Sequence, residues 1–118
     1  MSRATSTPPP ADPGGFFREH ADAIAYPKKH LATLLGISRP CLYAIFENRL
    51  RITVDMAIKL EALFGRPAAE WLNMQNAYDL WKARQESELG KVVSHLEDFR
   101  REIHVDDRLE KTALRRAS

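Results

Sequence analysis

Cysteine is almost missing from this chain. Cys41 stands alone, so no internal disulfide can form and an oxidising compartment gets no support; a cytoplasmic protein is expected. Long apolar runs are missing too. None approaches the roughly 20 residues of a membrane span, and the polar start MSRATSTPPP has no apolar signal core, so no membrane role is expected. Catalytic motifs are also lacking. The four histidines His20, His30, His95 and His104 show no metal-ligand spacing, no glycine-rich phosphate loop occurs, and no Cys or Ser lies in a nucleophile motif. The expectation is a protein that is not an enzyme and holds no cofactor or metal.

The 118 residues, 44% of them hydrophobic, suffice for one small domain with tails. The net charge of +2 is small but unevenly spread. From Lys28 to Arg51 the bases Lys28, Lys29, Arg39, Arg49 and Arg51 face Glu47 alone, whereas Ala68 to Glu110 is rich in acids. A basic stretch followed by an acidic one suits a protein that meets phosphates on one face and a basic partner on another. A solvated mixed-charge surface is the plainer account of the acidic part.

The basic stretch contains KKHLATLLGISRPCLYAIFE, residues 28–47. Leu31, Leu34 and Leu35 fall at helical spacing and predict an apolar stripe. Gly36 supplies the positive φ of a helix C-cap, and Ile37 can pack back on the helix. Ser38 then reads as an N-cap and Pro40 as a first-turn proline. In the second helix Leu42, Ile45 and Phe46 point inward, leaving Arg39, Tyr43 and Glu47 outside. Ala32 is small enough for the two helices to approach. This is the pattern of a helix-turn-helix, in which the second helix enters a DNA groove; an ordinary pair of antiparallel helices is the alternative. On the first reading Ser38, Arg39, Pro40 and Tyr43 are the candidate base contacts, and Lys28, Lys29, Asn48, Arg49, Arg51 and Thr53 the candidate phosphate contacts.

The flanking sequence divides into three parts. Residues 1–12, rich in Ser, Thr and Pro, read as a flexible arm. Residues 13–84 read as the domain. Phe16, Phe17, His20, Ala21 and Ile24 predict a first helix, bounded by Tyr26-Pro27. Asn48 is placed to take a left-handed conformation, Thr53 to cap a helix carrying Met56, Ala57, Leu60, Leu63 and Phe64 to a stop at Gly65, and Pro67 to open another with Trp71, Leu72, Met74, Gln75, Tyr78 and Trp81. The two tryptophans are expected in the core, with Trp81 near enough to the end to serve an interface. Residues 85–118 read as a further helix and tail. There Leu89, Val92, Leu96, Phe99 and Ile103 make a second stripe that suits dimer or partner packing, before a frayed end from Val105 to Ser118.

These residues resemble the HigA family of antitoxins, within the wider Xre-like, lambda-repressor-like helix-turn-helix group. The likeness spans about Pro13 to Leu80. It rests on Pro13-Gly14, Leu31-Ala32, Leu35-Gly36, Arg39-Pro40, Ile45, Ile52-Thr53, Ala57, Leu60, Gly65 and above all on Glu70 to Leu80, EWLNMQNAYDL. It implies an all-α, five-helix DNA-binding domain, here with a C-terminal helical extension. It also implies a homodimer that binds operator DNA, represses its own operon and neutralises a HigB-like ribonuclease toxin of the RelE type. A stand-alone repressor of the same fold is the alternative. The chain departs from the family pattern at Asp12-Pro13-Gly14-Gly15, where His-Pro-Gly-Glu is usual. It departs again at Pro27, at Arg51, and at Asn48, where glycine is usual.

Overall fold

The computed structural model describes residues 9–103; most of the expected arm, His104 and the expected frayed end from Val105 to Ser118 lie outside them. The described residues form six α-helices and no strand: α1 (Pro13–Ala23), α2 (Lys28–Leu35), α3 (Arg39–Phe46), α4 (Val54–Phe64), α5 (Ala68–Arg84) and α6 (Ser87–Ile103). The chain divides into two compact units, Met1–Lys82 and Ala83–Ser118.

Local chemistry sets most helix ends. The Asp12 carboxylate accepts the Gly15 N–H at 2.9 Å to start α1, while Ser38 and Thr53 accept the Cys41 and Met56 N–H groups, each at 3.2 Å, to start α3 and α4. Gly36 at φ 75° and Gly65 at φ 79° stop α2 and α4 in the left-handed region that glycine enters without strain. At Gly36 the Ile37 N–H returns to the Ala32 carbonyl at 3.0 Å, which folds Ile37 back over the helix. Two contributions come from afar: Lys59 of α4 donates to the Leu35 carbonyl at 2.7 Å, and Glu61 accepts the Ala68 N–H at 3.0 Å. They close one end of α2 and one end of α5, whose backbone groups lack intrahelical partners.

Phe17, Leu31, Leu42, Ile52, Leu60 and Trp71 are fully buried, so all five helices of the first unit, or the loops joining them, meet in one core. Each such side chain contributes about 1.5–3 kcal/mol of transfer free energy. Phe17 packs edge-on against Phe46 at 4.9 Å and against Trp71 at 6.2 Å, and His20 stands 5.3 Å from the same indole. The His20 ring Nδ1 is 2.9 Å from the Phe16 carbonyl.

Two apolar expectations fail. Leu34 is 61% exposed, because Leu31 and Leu35, four apart, take the inner face and turn Leu34 outward. Ile24 is not a core residue of α1: the helix ends at Ala23, and Ile24 is its exposed C-cap before Ala25 at φ 51°. In α5 the tryptophans part company, with Trp71 fully buried and Trp81 half-buried against Tyr78 at 6.1 Å.

In the second unit α6 buries no residue. Leu89, Val92, Leu96, Phe99 and Ile103 are exposed, and Val93 widens their stripe. Gly90 sits inside α6 without ending it. No helix among the described residues is long and apolar enough to cross a membrane.

Candidate nucleic-acid interface

Gly36 and Ile37 join α2 to α3 in a tight turn that leaves the first turn of α3 open. Ser38, Arg39 and Pro40 are all exposed there. The Arg39 guanidinium makes no hydrogen bond or ion pair among the described residues, so its N–H groups are unspent. Tyr43, one turn further on, is half-buried: its ring packs against the core and stands 5.7 Å from Phe46, so it is only partly an outer-face residue. Arg39 and Tyr43, four apart, share one edge of α3, and Ser38 and Pro40 sit beside Arg39 in its open first turn.

The six candidate phosphate contacts are less uniform. Lys29 is exposed and without a side-chain partner among the described residues. Lys28 pairs with Asp22 of α1 at 2.8 Å, and this hydrogen bond, aided by the nearby charges of Lys28 and Arg18, holds the Asp22 carboxyl below the usual carboxylate range. Arg49 grips Glu47 through both Nε, at 3.0 Å, and Nη2, at 2.7 Å. Thr53 spends its hydroxyl oxygen on the α4 cap. Arg51 points at α5, where it donates to Asp79 at 3.0 Å and Asn76 at 3.1 Å.

Asn48 adopts the expected left-handed conformation at φ 61°, and its side chain is engaged within the fold. Its Oδ1 accepts the Gly14 N–H at 2.9 Å and its Nδ2 donates to Asp12. At Gly14 the start of α1 approaches the end of α3 so closely that a Cβ would run into the Ile45 and Phe46 carbonyl oxygens. Two departures from the family pattern, Asp12 and Asn48, thus form a single linkage.

A second linkage escaped the sequence. Gln75, 2% exposed, accepts the Ile52 N–H at 2.8 Å and donates to Asp79 at 2.9 Å, and Asp79 in turn holds Arg51. The loop after α3 is therefore tied to α5 at two successive residues. The available signal was an amide at helical spacing between Trp71 and Tyr78 on an otherwise apolar face.

The HTH-type transcriptional regulator YbaQ of Escherichia coli is 32% identical over 97 residues, covering 78% of this chain and 84% of YbaQ. Antitoxin HigA-1 of Vibrio cholerae is 33% identical over 79 residues, covering 66% of this chain and 74% of that protein. The chain belongs to the HigA family of helix-turn-helix antitoxins. The structure of Pseudomonas aeruginosa antitoxin HigA with the higBA promoter superposes on this HigA-family chain with a TM-score of 0.62 at 28% identity, covering 83% of this chain and 97% of the other. No family model matches the chain. Within this HigA-family chain the segment from Glu70 to Leu80 joins core to loop, since Trp71 fills the core while Gln75, Asn76 and Asp79 secure the residues that follow α3.

Proposed function

We propose that this chain is an antitoxin that binds its own operator DNA as a homodimer, represses its operon and neutralises a RelE-like ribonuclease toxin. The observation that carries the DNA part is the exposed Arg39, unpaired among the described residues, at the first residue of α3, flanked by Ser38 and Pro40. An arginine there suits bidentate recognition of guanine O6 and N7. The Pseudomonas aeruginosa relative with promoter DNA supports the same reading. Lys29 supplies phosphate charge at once, while Arg49 and Arg51 do so by leaving exposed ion pairs, which are weak and exchangeable, and Lys28 by leaving its half-buried pair with Asp22.

An eight-residue helix reads only a few base pairs, so useful specificity needs two copies on half-sites about 34–36 Å apart. The α6 stripe is the dimer or toxin surface in this proposal, and Trp81 on α5 is a further candidate. Glu86, Glu88, Glu97, Asp98 and Glu102 accompany the stripe and suit a basic toxin. The rival surface on α1, Glu19 and Asp22 beside Phe16 and Phe17, is weakened: Phe17 is fully buried, Phe16 is half-buried and Asp22 is paired with Lys28. A stand-alone repressor remains the second reading, favoured by regulators such as YbaQ among the relatives.

Operator titration tests the reading. Arg39→Ala is expected to cost about 1–3 kcal/mol against the DNA upstream of the chain's own gene and to relax sequence preference, whereas Lys29→Ala lowers affinity evenly across sequences. Full discrimination by Arg39→Ala would refute the assignment. A neighbouring reading frame for a small basic protein, toxic when expressed alone, separates antitoxin from repressor.

A further inference from the structure

Arg18 of α1 is a cation that neither the fold nor the recognition helix accounts for. It is exposed, and its guanidinium lies over two rings of α3, 5.8 Å from the Tyr43 centroid and 5.5 Å from that of Phe46. Arg18 makes no hydrogen bond or ion pair among the described residues, so its N–H groups are unspent while the rings hold it by a cation–π attraction. Its acidic neighbour Asp22, one turn along α1, is already bonded to Lys28 and leaves Arg18 with a through-space attraction alone.

We infer that Arg18 is a DNA contact held by α3 itself, gripping a backbone phosphate at the rim of the groove that α3 enters. The inference rests on the DNA-binding reading above. Tyr43 follows Arg39 by one helical turn on the outer edge of α3, so the guanidinium over its ring continues the line of Arg39 toward the helix's C-terminal end. Phe46 is the last residue of α3, and a group above it lies beside the groove floor rather than on it, where the sugar-phosphate strand passes. A planar fork with unspent N–H groups matches phosphate oxygens. The half-buried Tyr43 thereby acquires a second role, as the platform that fixes this arginine.

The test titrates a fluorescent duplex, carrying the DNA immediately upstream of the chain's own gene, with the full-length protein and with Arg18→Gln and Arg18→Lys. Salt is varied from about 50 to about 200 mM. Each phosphate contact adds about 0.9 to the slope of log affinity against log salt, so losing one shrinks the affinity ratio across that range by about 3.5-fold. Arg18→Gln is expected to bind more weakly with that flatter slope, and Arg18→Lys, which keeps the charge, to retain the slope. A group that merely packs α1 on α3 lowers binding equally at every salt concentration, and a wild-type slope in Arg18→Gln would overturn the inference. Binding by the wild type with no change in Arg18→Gln sinks this inference alone. Failure of the wild type to bind the duplex sinks the DNA reading and the inference together.

Discussion

Replacing Asn48 with the glycine usual in the family sets two effects against each other. Asparagine at φ 61° carries backbone strain that glycine lacks, but glycine brings extra freedom to the unfolded chain; each is about 0.5–1 kcal/mol, and they nearly cancel. The deciding loss is the side chain. Without Oδ1 the Gly14 N–H, on a buried residue beneath the end of α3, has no acceptor, which costs about 1–3 kcal/mol, and Asp12 loses an exposed partner worth less. Asn48→Gly is therefore expected to destabilise by about 1–3 kcal/mol, and Asn48→Ala by up to about 1 kcal/mol more, since alanine lacks the local hydrogen bonding that eases a left-handed φ for asparagine. Urea unfolding at fixed protein concentration reads both from the midpoint and slope. An Asp12→Ala, Asn48→Gly double-mutant cycle should show coupling of at least about 0.5 kcal/mol. Equal or greater stability in Asn48→Gly would refute the linkage, since strain relief would then outweigh the hydrogen bonds.

The other linkage should be similarly sensitive: Gln75→Leu leaves the buried Ile52 N–H unpaired and is expected to cost about 1–3 kcal/mol in urea unfolding, whereas Asn76→Ala, at an exposed site, should cost far less. Asp22 offers a pH signature. Its carboxyl is lowered in the folded state, so the stabilisation from Lys28 is present above the ordinary carboxylate range and fades as pH falls through the lowered value. In Lys28→Ala the Asp22 midpoint should rise toward the ordinary value in an NMR titration; an unmoved midpoint would remove Lys28 as the cause. A truncation ending at Gln85 retains the whole first unit with its core and should stay folded by circular dichroism, while losing dimerisation in ultracentrifugation or toxin neutralisation in cells. Retention of both would clear α6 of either role.

Sequence by itself determined where the helices start and stop. Gly36, Ser38, Asn48, Thr53 and Gly65 each act within a few residues of chain, through a left-handed φ or a side-chain cap, so their effect is readable without knowing what lies nearby. It also placed Arg39 on the outer edge of α3, since one helical period fixes that edge once Leu42 and Ile45 face inward. Tertiary structure alone decided the polar linkages between distant parts of the chain. Asn48 and Gly14 are 34 residues apart, Ile52 and Gln75 are 23 apart, and Arg51 and Asp79 are 28 apart. No local rule brings such groups together; helix packing does. Leu34 shows the same limit within one helix, because Leu31, Leu34 and Leu35 fit an apolar stripe equally well until α2 docks and its rotation buries two of them. Arg18 reached the rings of Tyr43 and Phe46 only because Gly14 lets α1 lie against α3, a close approach set by the missing Cβ and visible once both helices are in place.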